Sequence, residues 1–189
     1  MPLFRRRQPS PKNSALAERL DALEFFRYAD DPAGAQEAVA STGVDGLYAE
    51  NGRHLITSDA EDLAEGGVAA WLEELRPVLA RLGAGFEAVE DRFERDDRRY
   101  VVTVDGREYE IYDTDDMAEM WALAWTRGFR ILNDVLERNG VPERAYSGSE
   151  YELWLLTPEQ FAAVQDVLDE RERPYVPTED PPDYGASPR

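Results

Sequence analysis

Hydrophobic and polar residues alternate with a period of two in the middle of the chain, between Phe86 and Tyr112. A period of two places successive side chains on opposite faces of a β-strand, so this stretch predicts antiparallel strands with one buried and one wet face. Asp105-Gly106 is a two-residue turn signal, because both residues tolerate the positive φ of a primed hairpin turn. The predicted strands and the charged turn between the first two are Phe86–Phe93, Glu94–Arg99, Tyr100–Val104 and Arg107–Tyr112.

Two longer stretches repeat their apolar residues every three or four positions, as one face of an α-helix does. They predict a helix over Val68–Leu82 and another over Met117–Arg138. The glycine pair Gly66-Gly67 predicts a joint before the first of them. Trp121 and Trp125 lie four residues apart and project from the same side of the second helix, where packing in the core is the expected role.

Shorter elements are predicted on either side of this centre. Asn51-Gly52 predicts a first hairpin between strands at Val44–Tyr48 and Arg53–Thr57. Thr157-Pro158-Glu159-Gln160 has the threonine, proline and glutamine of a helix start. The other predicted elements are a helix beginning near Asn13 or Ser14, a helix Pro32–Ala40, a short helix Asp59–Glu65, a turn-rich connection Arg144–Ser149 and a strand Tyr151–Leu156.

Together these elements predict a single α+β domain over residues 13–173. About six strands are expected in a mostly antiparallel sheet, packed by the two long amphipathic helices. Residues 1–12 hold three prolines and a cluster of basic residues, and predict a flexible basic arm. Residues 174–189 hold five prolines among acidic residues, and predict an extended acidic tail.

The formal net charge of −19 is the strongest compositional signal. Residues 1–12 carry four positive charges and no acid, so the remainder of the chain carries −23. A charge of this size repels nucleic-acid phosphates and anionic membranes and attracts basic partners. The expected partner is therefore a basic protein, and no nucleic acid is expected. A plainer interpretation, solubility within an acidic bacterial proteome, explains the same charge.

Several classes of function lack their signature. Without cysteine the chain can form no disulfide, thiolate nucleophile or cysteine zinc site. No stretch has the roughly 18 uncharged apolar residues of a membrane span, so a cytoplasmic location is expected. Motifs for phosphate binding, dinucleotide binding, serine hydrolysis and zinc proteolysis are missing, and no cofactor is expected. The single histidine, His54, is predicted to be an exposed strand residue near a hairpin tip.

Acidic residues crowd two predicted helix starts, where carboxylate oxygens could bind Mg²⁺ or Ca²⁺. Acids also occur at helix starts because they accept hydrogen bonds from free N–H groups and face the positive end of the helix dipole. One cluster contains Asp59, Glu61, Asp62 and Glu65. The other, which is the candidate metal site, contains Asp113, Asp115, Asp116 and Glu119.

Three functions are compatible with these observations. The first is a non-enzymatic, acidic cytosolic domain that binds another protein, such as an immunity-type inhibitor of a basic toxin or nuclease. The second is an enzyme that uses a carboxylate pair or a divalent cation near Asp113–Glu119. The third is a structural or scaffold component of a larger assembly, held by the basic arm and the proline-rich tail. Negative charge on a rigid scaffold favours the first.

Overall fold

The computed structural model describes residues 10–56, 58–94, 98–148 and 152–178, and within these ranges the protein is α+β. The helices are α1 Pro11–Ala22, α2 Pro32–Thr42, α3 Ala60–Asp62, α4 Val68–Leu82, α5 Met117–Arg138 and α6 Pro158–Gln165. A π turn spans Leu63–Gly67, and 3₁₀ turns span Gly43–Tyr48 and Glu170–Glu172. The strands are β1 His54–Ile56, β2 Val89–Glu94, β3 Arg99–Val104, β4 Arg107–Asp113, β5 Arg144–Ser147 and β6 Glu152–Leu156.

The strands of the described residues form two antiparallel sheets of three, not the single sheet of about six that the pattern predicts. We call β2-β3-β4 the meander sheet and β1-β6-β5 the β6 sheet, each in its spatial order. Pairing in the β6 sheet is non-local, because His54 in β1 lies opposite Trp154 in β6. A hydrophobic pattern specifies which residues are buried but not which distant strand they pair with, and the division into two sheets follows from that pairing.

The predicted meander is confirmed. Asp105 and Gly106 have φ angles of 51° and 79°, as a primed turn requires. On the wet face of the sheet, Arg92 forms ion pairs with Glu94 and Glu108 at 2.9 and 2.8 Å. Exposed pairs of this kind contribute little to stability, because solvent screens them. This face is therefore a solvated, charge-balanced surface.

The predicted first hairpin is wrong. Gly43–Tyr48 is a 3₁₀ turn rather than a strand, and β1 pairs with β6 instead. Asn51, the expected turn residue, is buried and organises the loop with its side chain. Its Nδ2 donates to the Leu47 carbonyl, while its Oδ1 accepts from the backbone N–H groups of Arg53 and His54. The asparagine thus shapes the entry to β1 and does not join two strands.

The turn-rich connection predicted at Arg144–Ser149 is also wrong, since its first four residues form β5. The outer edge of this strand is satisfied by a side chain of α5. Asn133 donates to the Ala145 carbonyl at 3.0 Å and accepts from the Ala145 N–H at 2.7 Å. Further along, Ser147 and Tyr175 exchange backbone hydrogen bonds of 2.9 and 2.7 Å. The start of the proline-rich tail therefore lies along β5.

β6 is buried on both faces, and each face belongs to a different hydrophobic core. Leu153 and Leu155 pack in the first core, with the meander sheet, α4 and α5. Trp154 and Leu156 pack in the second core, with α1, α2 and α6. All four side chains have 0% exposure. The unbroken apolar run in this strand thus reflects burial on two sides.

The two long helices begin and end where the periodicity predicts. Asp116 is the N-cap of α5, and its side chain accepts hydrogen bonds from two backbone N–H groups of the first turn. Gly83 ends α4 with a φ of 80°. The helices pack on each other through Trp71 and Phe129, whose ring centroids lie 5.6 Å apart.

The chain ends were only partly predictable. α1 begins at Pro11 with Ser10 as its N-cap, two or three residues before the predicted start near Asn13 or Ser14. Residues 1–9 of the predicted arm and residues 179–189 of the predicted tail lie outside the described residues. Among the helices of the described ranges, none combines the length and the hydropathy that a membrane crossing needs.

Candidate binding groove

A groove of about 650 Å³ opens where the π turn, the meander sheet and the start of α5 meet. We call it the acidic groove. Its lining has an apolar part and a charged rim. The apolar residues are Ala64, Phe93, Tyr112, Met117, Met120 and Trp121. The rim residues are Glu61, Glu65, Arg98 and Asp115.

Buried contacts hold the apolar lining in place. Tyr112 donates its hydroxyl to the Ala64 carbonyl at 2.7 Å, which ties β4 to the π turn. Phe93 stacks on the buried Tyr100, with ring centroids 4.7 Å apart. Phe93 and Met117 still remain 39% and 62% exposed. Large exposed apolar side chains in a concave surface are typical of a contact site for another molecule.

The π turn positions one side of the charged rim. Gly66 has a φ of 99°, which a residue with a side chain rarely adopts. A Cβ at this position would also lie 3.0 Å from the ring of Phe93. The helical path is kinked at Glu65 and Gly66, and Glu61 and Glu65 are exposed at the edge of the groove. A glycine is therefore required here both for its φ and for the close approach of Phe93.

The two acidic clusters recognised in the sequence meet at this groove. Glu61 and Glu65 come from one cluster, and Asp115 comes from the other. Contacts of α5 with α3 and with the π turn bring the two together. Three carboxylates thus share a rim with the cation Arg98. The acids that the sequence suggested for metal binding here border an apolar surface.

The candidate metal ligands are placed as follows. Asp116 caps α5, and Glu119 accepts a hydrogen bond from the Thr114 hydroxyl at 2.7 Å. Asp113 is the last residue of β4, and Asp115 lines the groove. Within the described ranges, no three His, Asp or Glu side chains come together as a metal ion requires. The metal site at these four acids stays a prediction.

The apolar part of the groove was not predicted from the sequence. Trp121 and Trp125 pack against the first core as expected, but both are only partly buried, and Trp121 also lines the groove. A signal for this role was present. Met117, Met120 and Trp121 follow the acids at three- and four-residue spacing, and so form an apolar patch on the first turn of a helix.

A second cavity, of about 320 Å³, holds a buried ion pair. Arg53 Nη1 lies 2.8 Å from Glu143 Oε1, and the two side chains are 1% and 4% exposed. The guanidinium also donates to the backbone carbonyls of Glu24, Phe25 and Leu155. Burial lowers the pKa of Arg53, while the hydrogen bond to Glu143 and the charge of that carboxylate oppose the shift. Four acceptors thus compensate the buried cation, so this pair joins three segments of the fold.

His54 is not the exposed residue that the sequence predicts. Its side chain is 9% exposed, and Nε2 lies 3.5 Å from Glu152 Oε1. The ring packs against Tyr48 and Trp154, with centroid distances of 5.1 and 4.6 Å. Pairing of β1 with β6 produces this burial. Burial lowers the pKa of His54, and the carboxylate of Glu152 opposes the shift.

Acidification from about pH 7.5 to about 5.5 is expected to destabilise the wild type more than a His54→Gln variant. The pKa of His54 in the folded state lies below its unfolded value of about 6.5. The contribution of neutral His54 to the free energy of unfolding is therefore fully present above about pH 6.5. It is lost as the pH falls towards the folded-state pKa. Urea unfolding at both pH values measures the difference. A Glu152→Gln control should steepen the loss, and equal pH dependence in wild type and His54→Gln would contradict this expectation.

Comparison of the chain with protein-family models, with curated proteins and with solved structures finds no match. The described residues form an α+β protein with two three-stranded antiparallel sheets, and the acid-rimmed apolar groove lies at the meander sheet.

Proposed function

We propose that this protein is a non-enzymatic, cytosolic protein-binding domain that uses the acidic groove to hold a basic segment of another protein. The observation that supports this function is the meeting of two acidic clusters around an exposed apolar lining. An immunity-type inhibitor, which covers a basic toxin or nuclease, is its most specific form.

The two parts of the groove contribute differently to binding. The apolar lining removes hydrophobic side chains of the partner from water, at about 25 cal/mol per Å² of apolar surface buried. Glu61, Glu65 and Asp115 attract Lys and Arg and raise the association rate, and salt weakens this effect. A partner arginine can also stack on the ring of Trp121 or Phe93. The preferred ligand is therefore a segment with one or two large apolar residues next to Arg or Lys.

Selection of a random peptide-display library on the purified protein is expected to enrich this combination of apolar and basic residues. A Glu61→Lys/Glu65→Lys variant is expected to bind the enriched peptides about tenfold more weakly, because attraction at the rim becomes repulsion. Fluorescence anisotropy with labelled peptides measures the affinities. Thermal unfolding of the variant shows that it remains folded.

A matched control distinguishes the effect of the groove carboxylates on binding from the effect of the net charge of the whole protein. Glu74 and Glu137 are exposed on α4 and α5 and do not line the groove. The Glu74→Lys/Glu137→Lys variant has the same net charge as the groove variant, and its peptide affinity is expected to stay within about twofold of wild type. If both double variants weaken binding equally, or if the enriched peptides lack basic residues, the acidic groove is not the binding site.

A further inference from the structure

The chain itself contains a segment with the composition that the acidic groove favours. Residues 3–7, Leu3-Phe4-Arg5-Arg6-Arg7, combine two large apolar side chains with three adjacent positive charges. Nowhere else does the sequence have three consecutive basic residues. The remainder of the protein, outside these five residues, carries −22. This segment is therefore the strongest internal match for the groove.

We propose that the acidic groove of one copy of this chain binds residues 3–7 of a second copy. The inference rests on the proposed function and deepens it, because it names a ligand for the same groove. The side chains of Leu3 and Phe4 suit the apolar lining. The three arginines are opposite in sign to the rim, where three carboxylates outnumber the single cation Arg98.

The attachment of this segment favours a contact between copies over one within a single copy. The segment leads into Ser10, the N-cap of α1, and α1 packs in the second core. The groove lies over the first core, and β6 stands between the two cores. A groove on a second copy can be reached by this segment without crossing from one core to the other.

Such a contact joins unlike surfaces of identical chains, so each copy offers one segment and one groove. Association of this kind grows with protein concentration and builds open chains or closed rings. It also competes with a partner protein, since both ligands use the same groove.

The first test is binding of a fluorescent peptide of residues 1–10 to protein that lacks residues 1–9. Saturable binding is expected, with an affinity that falls about tenfold between roughly 50 and 300 mM salt. The Glu61→Lys/Glu65→Lys variant is expected to weaken binding about tenfold, and the Glu74→Lys/Glu137→Lys control to change it less than about twofold. A peptide with Leu3→Ser and Phe4→Ser keeps its charge and should bind roughly fivefold more weakly.

The second test is sedimentation velocity of the full chain and of the chain without residues 1–9. The full chain is expected to associate as its concentration rises, and to dissociate in high salt or with excess peptide, while the shortened chain stays monomeric. A full chain that stays monomeric although the peptide binds would overturn the contact between copies. A peptide that does not bind, or binds the groove variant equally well, would overturn the ligand assignment. If display-selected peptides still bind the groove in that case, the proposed function stands and only this inference fails.

Discussion

Replacing Arg53 with alanine is expected to lower the free energy of unfolding by about 3–5 kcal/mol. The variant leaves the carboxylate of Glu143, whose side chain is 4% exposed, without its cation. It also removes a donor from the carbonyls of Glu24 and Phe25, which position the loop after α1. Urea denaturation at neutral pH measures the loss.

A double variant separates the loss of stability caused by the unpaired Glu143 carboxylate from the loss caused by the missing hydrogen bonds. Arg53→Met/Glu143→Leu removes both charges and keeps apolar volume, and pairs exchanged in this way often lose little stability. We expect it to recover part of the loss, with the remainder due to the unpaired carbonyls. An Arg53→Ala variant that loses less than about 1 kcal/mol would show that the pair is solvated and does not hold these segments together.

Replacing Trp71 with alanine is expected to lower the free energy of unfolding by about 3–5 kcal/mol as well. Its side chain is 2% exposed and packs against Phe129 of α5. A Cβ added to Gly128 would stand 3.4 Å from the Trp71 ring, so the indole fills the space that this glycine leaves. Deleting it opens a cavity between the two long helices, and the surrounding backbone cannot close a gap of that size.

Trp121→Ala is the matched comparison, because this tryptophan is partly buried and lines the acidic groove. Its loss of stability is expected to be roughly 1 kcal/mol. The same change should weaken binding of a basic peptide, whereas the binding of a folded Trp71→Ala protein should be close to wild type. Equal losses of stability for the two variants would mean that Trp121 belongs to the core and not to the groove.

Local elements of this fold could be predicted because their signals lie within a few residues. α5 is an example, since Asp116 supplies its N-cap and an apolar stripe continues to Arg138. The same holds for the turn at Asp105-Gly106, where the residue types themselves permit a positive φ. In these places short-range chemistry and tertiary packing favour the same structure.

The partition into two sheets could not be predicted, because it depends on which distant strand each segment meets. Asn51-Gly52 has a strong hairpin signal, yet Asn51 uses its amide to bond Leu47 and the entry of β1. β1 then gains its partner from β6. Burial of Trp154 in a second core outweighs the local turn preference.

The candidate site could be predicted in its charge but not in its shape. The sequence identifies Glu61, Glu65 and Asp115 as members of acidic clusters. That they share a rim depends on packing of the π turn beside α5, and that Phe93 faces them depends on the register of β2. The buried pair of Arg53 and Glu143 left no sequence signal, since the two residues are 90 positions apart.

The long separation of β1 from β6 has a consequence for biosynthesis. Ribosomes add about 5–20 residues per second, so β1 emerges roughly 5–20 s before the strand that will cover it. The meander sheet and α5 are translated within that interval, while β1 with its apolar Leu55 has not yet paired with β6. Unpaired apolar edges are prone to aggregate. Residues 1–56 carry a net charge of −1 and residues 1–152 a net charge of −14, so repulsion between nascent chains opposes this aggregation increasingly as translation approaches β6.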